Sequence, residues 1–294
     1  MSGNNTTVCA LCQQTRTLRN SHIIPEFLHA PLYEENPRRY NTYGVDGRPK
    51  LGVLQKGERE HLLCDECEGR FSIFERWASD FYRGAIVAFS DTTRSEIPYG
   101  KKLRFTRVDS DGKPTTSAVP RKLMVDGFDY EKMKLFLLSL LWRMGVSQLL
   151  FFSRFTLGHQ EQRLRRMLLE NDPGSAERYA CQIRLIELEG KLVTDYQSQP
   201  FQYEHRGKKC CRLFSTGVRF DFMVSNHPAD GHDVDLYCVK PQPRYVCWVD
   251  SIRTHPDLAD ELIKLGAEMK WTGSKNKVAS FGYSPLSPQR REIG

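Results

Sequence analysis

Apolar residues recur at helical spacing in three stretches of the chain. Phe71, Phe74 and Ala78 lie three and four apart, which predicts a helix over about Glu66–Tyr82. Asp129 is placed to cap a long helix reaching about Phe152, with Met133, Phe136, Leu137, Leu140, Leu141 and Met144 as its core face. A shorter helix over about His159–Glu170 turns Leu164, Met167 and Leu168 inward, and Asn171-Asp172-Pro173-Gly174 stops it. Strand patterns lie between and beyond these. Lys101–Val108 and Val119–Val125 flank Asp109-Ser110-Asp111-Gly112, a hairpin signal. In the last third Val218, Phe220, Phe222 and Val224 alternate, Val234–Val239 and Tyr245–Val249 frame a reversal at Pro241-Gln242-Pro243, and a final helix is expected over about Pro256–Met269. Residues 9–75 read as loops and short strands around two cysteine pairs. The pattern predicts an α+β chain: a small metal-stapled module over residues 1–90, then a mixed α+β accessory domain over 91–294.

Composition narrows the class. At 294 residues, with 39% apolar and 27% charged side chains, the chain can bury a real core, and wholesale disorder or a fibrous repeat is excluded. The net charge of +7 suits a polyanionic partner without requiring one; a solvated basic surface gives the same sum. Residues 1–80 are close to neutral, and the positive excess is densest over 81–128. The longest apolar stretch, Leu135–Phe152, carries Arg143 near its middle, so it reads as a buried helix and no membrane association is expected. No secretory pattern opens the sequence, and nine cysteines are an odd number for a disulfide framework. A cytoplasmic protein with reduced or metal-bound thiols is expected.

Cys9-Ala10-Leu11-Cys12 and Cys64-Asp65-Glu66-Cys67 are the strongest chemical signal. A two-residue gap lets a tight turn present two sulfurs roughly 3.7 Å apart to one tetrahedral Zn²⁺. The second pair leads straight into the first predicted helix, whose N-terminal amides favour thiolate charge. One structural zinc on Cys9, Cys12, Cys64 and Cys67 is therefore expected. The remaining cysteines are weaker candidates. Cys210 and Cys211 are adjacent, and one backbone rarely aims neighbouring thiols at one ion; Cys238 and Cys247 read as small core residues.

Between the pairs stands Ser21-His22-Ile23-Ile24-Pro25. Taken alone, such a histidine is more often a satisfied strand-end residue than a functional one. In context it changes meaning. A C-x-x-C, a histidine ten positions later followed by Ile-Ile-Pro, then Leu62-Leu63-Cys64 and a second C-x-x-C opening a helix resembles the zinc-stapled HNH endonucleases over about residues 8–80. The resemblance implies a treble-clef, ββα-metal module in which His22 is the general base that activates water against a phosphodiester. It also implies a catalytic Mg²⁺ or other divalent cation that stabilises the leaving oxygen. Where the family carries aspartate or histidine before the base, this sequence has Ser21. Where it carries an orienting asparagine, this sequence reads Glu58-Arg59-Glu60-His61. His61 is the stand-in for that asparagine, or a neighbour of the zinc knuckle. Glu68, after the fourth cysteine, is a hard-cation ligand and Glu75 its assistant, or both are helix-N-terminal charges favoured by the dipole. His29 is a weaker candidate, and Asn36 and Asn41 lie in the insertion 23–61 from which ligands can be recruited.

Leu141-Trp142-Arg143-Met144-Gly145-Val146-Ser147, with Phe151-Phe152 and Leu157-Gly158, resembles the second region of uncharacterised bacterial proteins that begin with a Ser-His-Ile-Ile-Pro zinc module. That implies a shared two-part architecture, not an activity. From the residues alone, Trp142 and Arg143 read first as a core aromatic and a buried, paired charge. Arg163, Arg165 and Arg166, with Lys101, Lys102, Arg104, Arg107, Arg121 and Lys122, can track phosphates or simply solvate a helix face and a hairpin.

Three readings follow. The first is a metal-dependent HNH-like endonuclease acting on DNA, working as a homodimer or in a larger assembly, in bacterial defence or a mobile element. The second is a catalytically silent zinc module that binds nucleic acid or a protein partner. The third is an assembly protein whose zinc only staples the fold.

Overall fold

The computed structural model describes residues 6–35, 38–42, 52–54, 57–194, 196–229, 231 and 238–254. In chain order the N-terminal part comprises β1 (Thr6–Val8), β2 (Thr15–His22), α1 (Glu26–His29), β3 (Glu34–Glu35), β4 (Arg38–Thr42), β5 (Gly52–Leu54), β6 (Arg59–Cys64) and α2 (Asp65–Ser90). There follow β7 (Glu96–Tyr99), β8 (Leu103–Val108), β9 (Lys122–Asp126), α3 (Tyr130–Val146) and α4 (Glu161–Glu170). The β-rich part comprises β10 (Cys181–Leu188), β11 (Lys191–Leu192), β12 (Phe201–His205), β13 (Lys208–Ser215), β14 (Val218–Met223) and β15 (Arg244–Ser251). The architecture is mixed α+β. Residues 1–251 form one compact unit and Ile252–Gly294 a second, of which a 3₁₀ turn at Ile252–Thr254 is described.

Among the described residues, three sheets organise the first unit. A small antiparallel sheet runs β1-β2-β6, and another runs β3-β4-β5. The large sheet runs β12-β13-β14-β10-β15-β9-β8-β7, with β11 paired to β10. All its pairings are antiparallel except β10 with β15. α2 packs on α3 and on β7, β8 and β9. Phe105, Leu123, Val125, Ile183, Leu185, Phe220, Tyr245 and Cys247 are buried in one core with Phe71, Phe74, Phe81, Phe136 and Trp142 of the two helices. That core also contains Cys9, Leu11, Ile23, Ile24 and Leu63, so the expected boundary near residue 90 falls where α2 ends within shared apolar packing.

Local signals explain where elements start and stop. α2 begins where expected, but it runs past Tyr82 to Ser90 because Ala85, Ala88 and Phe89 continue its buried face. Gly84 lies on that stretch because a Cβ there would stand 2.4 Å from the Phe105 ring. Buried Arg107 donates to the carbonyls of Ala88 and Phe89, which satisfies the C-terminal end of α2 and removes this arginine from the candidate phosphate contacts. Asp129 caps α3, its side chain accepting from the N–H of Lys132 at 3.1 Å. α3 ends at Val146, short of the expected Phe152, because Ser147 turns to extended backbone and its hydroxyl is held by Glu60. α4 stops at Asn171, which adopts left-handed backbone (φ 55°). The hairpin forms as β8 and β9, with Val108 opposite Lys122 and a longer loop than the turn motif implied. Most of the Val234–Val239 segment and the expected final helix over Pro256–Met269 lie outside the described residues.

Candidate functional site

The four cysteines converge as their spacing requires. Cys9 and Cys12 sit in the turn from β1 to β2, closed by Gln13 N–H donating to the Cys9 carbonyl at 2.9 Å. Cys64 ends β6 and caps α2, and Cys67 lies in the first turn of that helix. Their Sγ atoms all lie within 4.8 Å of one another, and the Sγ atoms of Cys12 and Cys64 are 3.9 Å apart. A tetrahedral ion with metal–sulfur bonds of about 2.3 Å sets sulfurs about 3.8 Å apart, so the donor set fits zinc in both chemistry and size. The backbone N–H of Cys64 donates to the Cys9 sulfur at 3.4 Å. Burial, followed by the neighbouring thiols, pushes the Cys67 thiol well above its ordinary range, a cost that a bound cation removes. Among the described residues these four form the only group of three or more His, Cys, Asp or Glu side chains close enough to share an ion.

The other cysteines behave as core residues. Cys211 faces the main core, while adjacent Cys210 faces a second cluster with Cys238, as neighbours on one strand must. Cys247 is buried in the main core.

β2 and β6 pair so that His22 lies opposite Arg59 and Ser21 opposite Glu60. The strand ends there because Ile23 and Ile24 plunge into the core, both fully buried, and Pro25 starts α1. His22 itself is half-buried, and Arg59 Nε donates to its Nε2 at 2.9 Å. Arginine can only donate, so the ring nitrogen is the acceptor in this contact. The His29 ring lies 5.5 Å from that of His22, centroid to centroid, and is fully buried. Gly57, in left-handed backbone (φ 70°), makes room for it; a Cβ there would stand 2.4 Å from the His29 ring. The Leu28 carbonyl, near the end of α1, accepts from Ser215 at 3.0 Å and from Thr216, both at the β13–β14 turn.

Glu68, one turn into α2, reaches back to this hairpin. Ser21 Oγ donates to its Oε2 at 2.8 Å. Burial raises the Glu68 carboxyl above its ordinary range, against the lowering effect of the Ser21 hydrogen bond and of Arg143. Ser21 therefore serves the carboxylate as a donor. Glu75, expected to assist Glu68, is instead engaged with Arg143 Nη1 at 2.7 Å. Arg143 is 1% exposed, a buried and paired charge as its setting in an apolar helix implied, and it donates to the His22 carbonyl at 2.8 Å. His61 is exposed on β6 opposite Asn20; the side chain that meets His22 from this strand is Arg59. Asn36 lies outside the described residues.

No family model, curated protein or solved structure matches this chain.

Elsewhere, Arg165 donates to the Leu11 carbonyl of the cysteine turn at 2.8 Å, tying α4 to the knuckle, whereas Arg163 and Arg166 are exposed. Arg121 and Lys122 lie over the Trp248 ring at 5.6 and 5.3 Å. Among the described residues, no helix is long and apolar enough to cross a membrane. No local pattern signals what Arg59 and Arg143 hold, because both contacts join residues that only tertiary packing brings together.

Proposed function

We propose that the chain is a zinc-stapled, HNH-like endonuclease that hydrolyses phosphodiester bonds of DNA. One observation carries this reading: Ser21, next to His22, is hydrogen-bonded to Glu68 of α2. This bond ties the β-hairpin that carries His22 to the helix that carries Glu68, and the same helix carries Cys67 of the four-cysteine knuckle. That is the arrangement expected of a treble-clef ββα module.

His22 offers Nε2 as the proton acceptor of a general base once a water displaces Arg59 from it. The Arg59 guanidinium offers a fork of donors to a phosphate oxygen. Glu68 offers one carboxylate to Mg²⁺ or a similar cation, which ordinarily keeps several waters and takes only one or two protein carboxylates beside substrate phosphate. Such a cation supplies charge stabilisation to the departing oxygen. Ser21 orients Glu68.

The same Arg59–His22 bond favours a second reading, a silent zinc module that binds nucleic acid or a protein, because it occupies the lone pair that a base must use.

Cleavage of supercoiled plasmid under Mg²⁺, Mn²⁺ and Ni²⁺ tests the proposal. Nicking that disappears in zinc-bound His22→Ala and falls in Glu68→Gln supports the nuclease. Nicking that persists in both variants, or wild-type protein that binds DNA without cutting it, rejects it.

A further inference from the structure

The segment Trp142-Arg143-Met144-Gly145-Val146-Ser147-Gln148 closes α3, yet its polar groups serve the β2–β6 hairpin. Arg143 donates from Nη1 to the His22 carbonyl at 2.8 Å and pairs with Glu75 at 2.7 Å. Its guanidinium stands 5.4 Å from the Phe71 ring centroid, and its Nε donates to the Ser139 carbonyl at 3.3 Å. One turn further, Ser147 Oγ donates to Glu60 Oε2 at 2.8 Å, and the N–H of Gln148 reaches the same carboxylate at 3.1 Å. Gly145 keeps this last turn close to its neighbour, since a Cβ there would stand 2.3 Å from Leu157 Cγ.

These contacts fall around one register position. His22 and Arg59 are opposite each other, and Arg59 holds the His22 ring. The segment grips β2 at the His22 carbonyl itself and grips β6 at Glu60, the residue next to Arg59. Burying a guanidinium is costly unless its donors are met. Here they are met by the strand that carries the histidine and by α2, which carries Glu68.

We infer that Arg143, with Ser147, is a positioning residue for His22, and that residues 142–148 are the part of the downstream region that sets the geometry of the site. The inference rests on the reading of His22 as the base. Arg143 touches no reacting atom. It acts through the backbone of β2 and through Glu75, so its loss displaces the His22 ring relative to Arg59 and Glu68.

The test uses the zinc-bound full chain at one fixed pH, and reads ¹⁵N and ¹H signals of the His22 ring alongside plasmid cleavage. In Arg143→Met, zinc content and far-UV CD stay at wild-type values while the His22 ring signals shift. Cleavage falls on the order of 10²-fold, as for displacement of a reacting group by about 1 Å. Arg143→Lys keeps a donor for the His22 carbonyl and restores both readouts part-way, which a merely space-filling role would not produce. Ser147→Ala shifts the same ring signals by a smaller amount through Arg59. If Arg143→Met loses its fold, the Lys and Ser147→Ala variants decide by the same signals. Unchanged His22 signals in folded Arg143 and Ser147 variants overturn the inference. A wild-type protein that cuts no DNA overturns the nuclease reading alone, because the ring signals still decide the positioning role.

Discussion

Zinc binding to the four-cysteine knuckle is predicted to weaken steeply with acid. Burial pushes the thiols of both Cys12 and Cys67 above their ordinary range, so each carries a proton at neutral pH in the metal-free protein. A zinc ligand must be a thiolate, so binding expels at least these protons. Each displaced proton costs about 1.36 kcal/mol per pH unit. Two together make the apparent zinc affinity fall by about 10²-fold, or about 2.7 kcal/mol, for every unit of pH lost below neutrality. Competition with a chromophoric chelator between pH 6 and pH 8 measures this slope directly. Cys67→Ser should lose stoichiometric zinc. Cys210→Ser should keep it, since Cys210 belongs to a separate buried cluster. The consequence reaches beyond the knuckle, because Cys9, Cys64 and Cys67 share one core with Phe71 and Trp142. Structural zinc sites contribute apparent free energies of about 10–16 kcal/mol in small domains, as large as the whole stability of a typical protein. Chelation should therefore lower the melting temperature of the chain as a whole. A slope below one proton per ion, or Cys210→Ser as damaging to zinc binding as Cys67→Ser, would refute the assignment.

Other consequences are equally direct. Asp221 is 7% exposed and accepts from Arg212 at 2.5 Å, from Arg219 at 2.8 Å and from Tyr203 at 3.0 Å. Asp221→Ala should cost about 3–5 kcal/mol by removing the buried carboxylate that Arg212 and Arg219 share, which is roughly 6–20 °C in melting temperature. Asp126→Asn, at an exposed pair with Arg244, should cost under about 1 kcal/mol; equal costs in the two variants would contradict the argument. Although burial works to raise it, Arg219 and Arg212 hold the Asp221 carboxyl below its ordinary range. Its contribution is therefore fully present above the unfolded value of about 3.9 and is lost as pH falls through the lower folded value, so the Asp221→Ala penalty should shrink only in strong acid. Gly57→Ala forces left-handed backbone and drives a methyl into the His29 ring. It should cost roughly 1–3 kcal/mol and move the His29 signals, and wild-type melting with unmoved signals would contradict that packing.

The sequence by itself determined what depends on neighbours along the chain. Two C-x-x-C turns suffice to present four thiols, because a tight turn and a helix start are local geometries. Asp129 caps α3 and Asn171 stops α4 for the same reason. The core face of α3 and the burial of Arg143 were legible from a 3.6-residue period with one charge set inside it. Helix ends were less so: α2 ran on under Phe105 and α3 stopped early because Glu60, 87 residues away in sequence from Ser147, captured its last turn.

Only the tertiary structure decided what the histidine meets. The parallel pairing of β10 with β15, the packing of α2 on α3 and on β7, β8 and β9, and the seating of the β13–β14 turn on α1 join segments that no short-range pattern relates. Glu75 serves Arg143, Arg59 holds His22 where His61 was the candidate, and Ser21 is a donor to Glu68 in a place where a ligand was sought. Each of these is a choice among polar groups that lie equally close along the chain. Burial makes the choice, because a charge or donor removed from water must take whatever partner the packed core brings within reach.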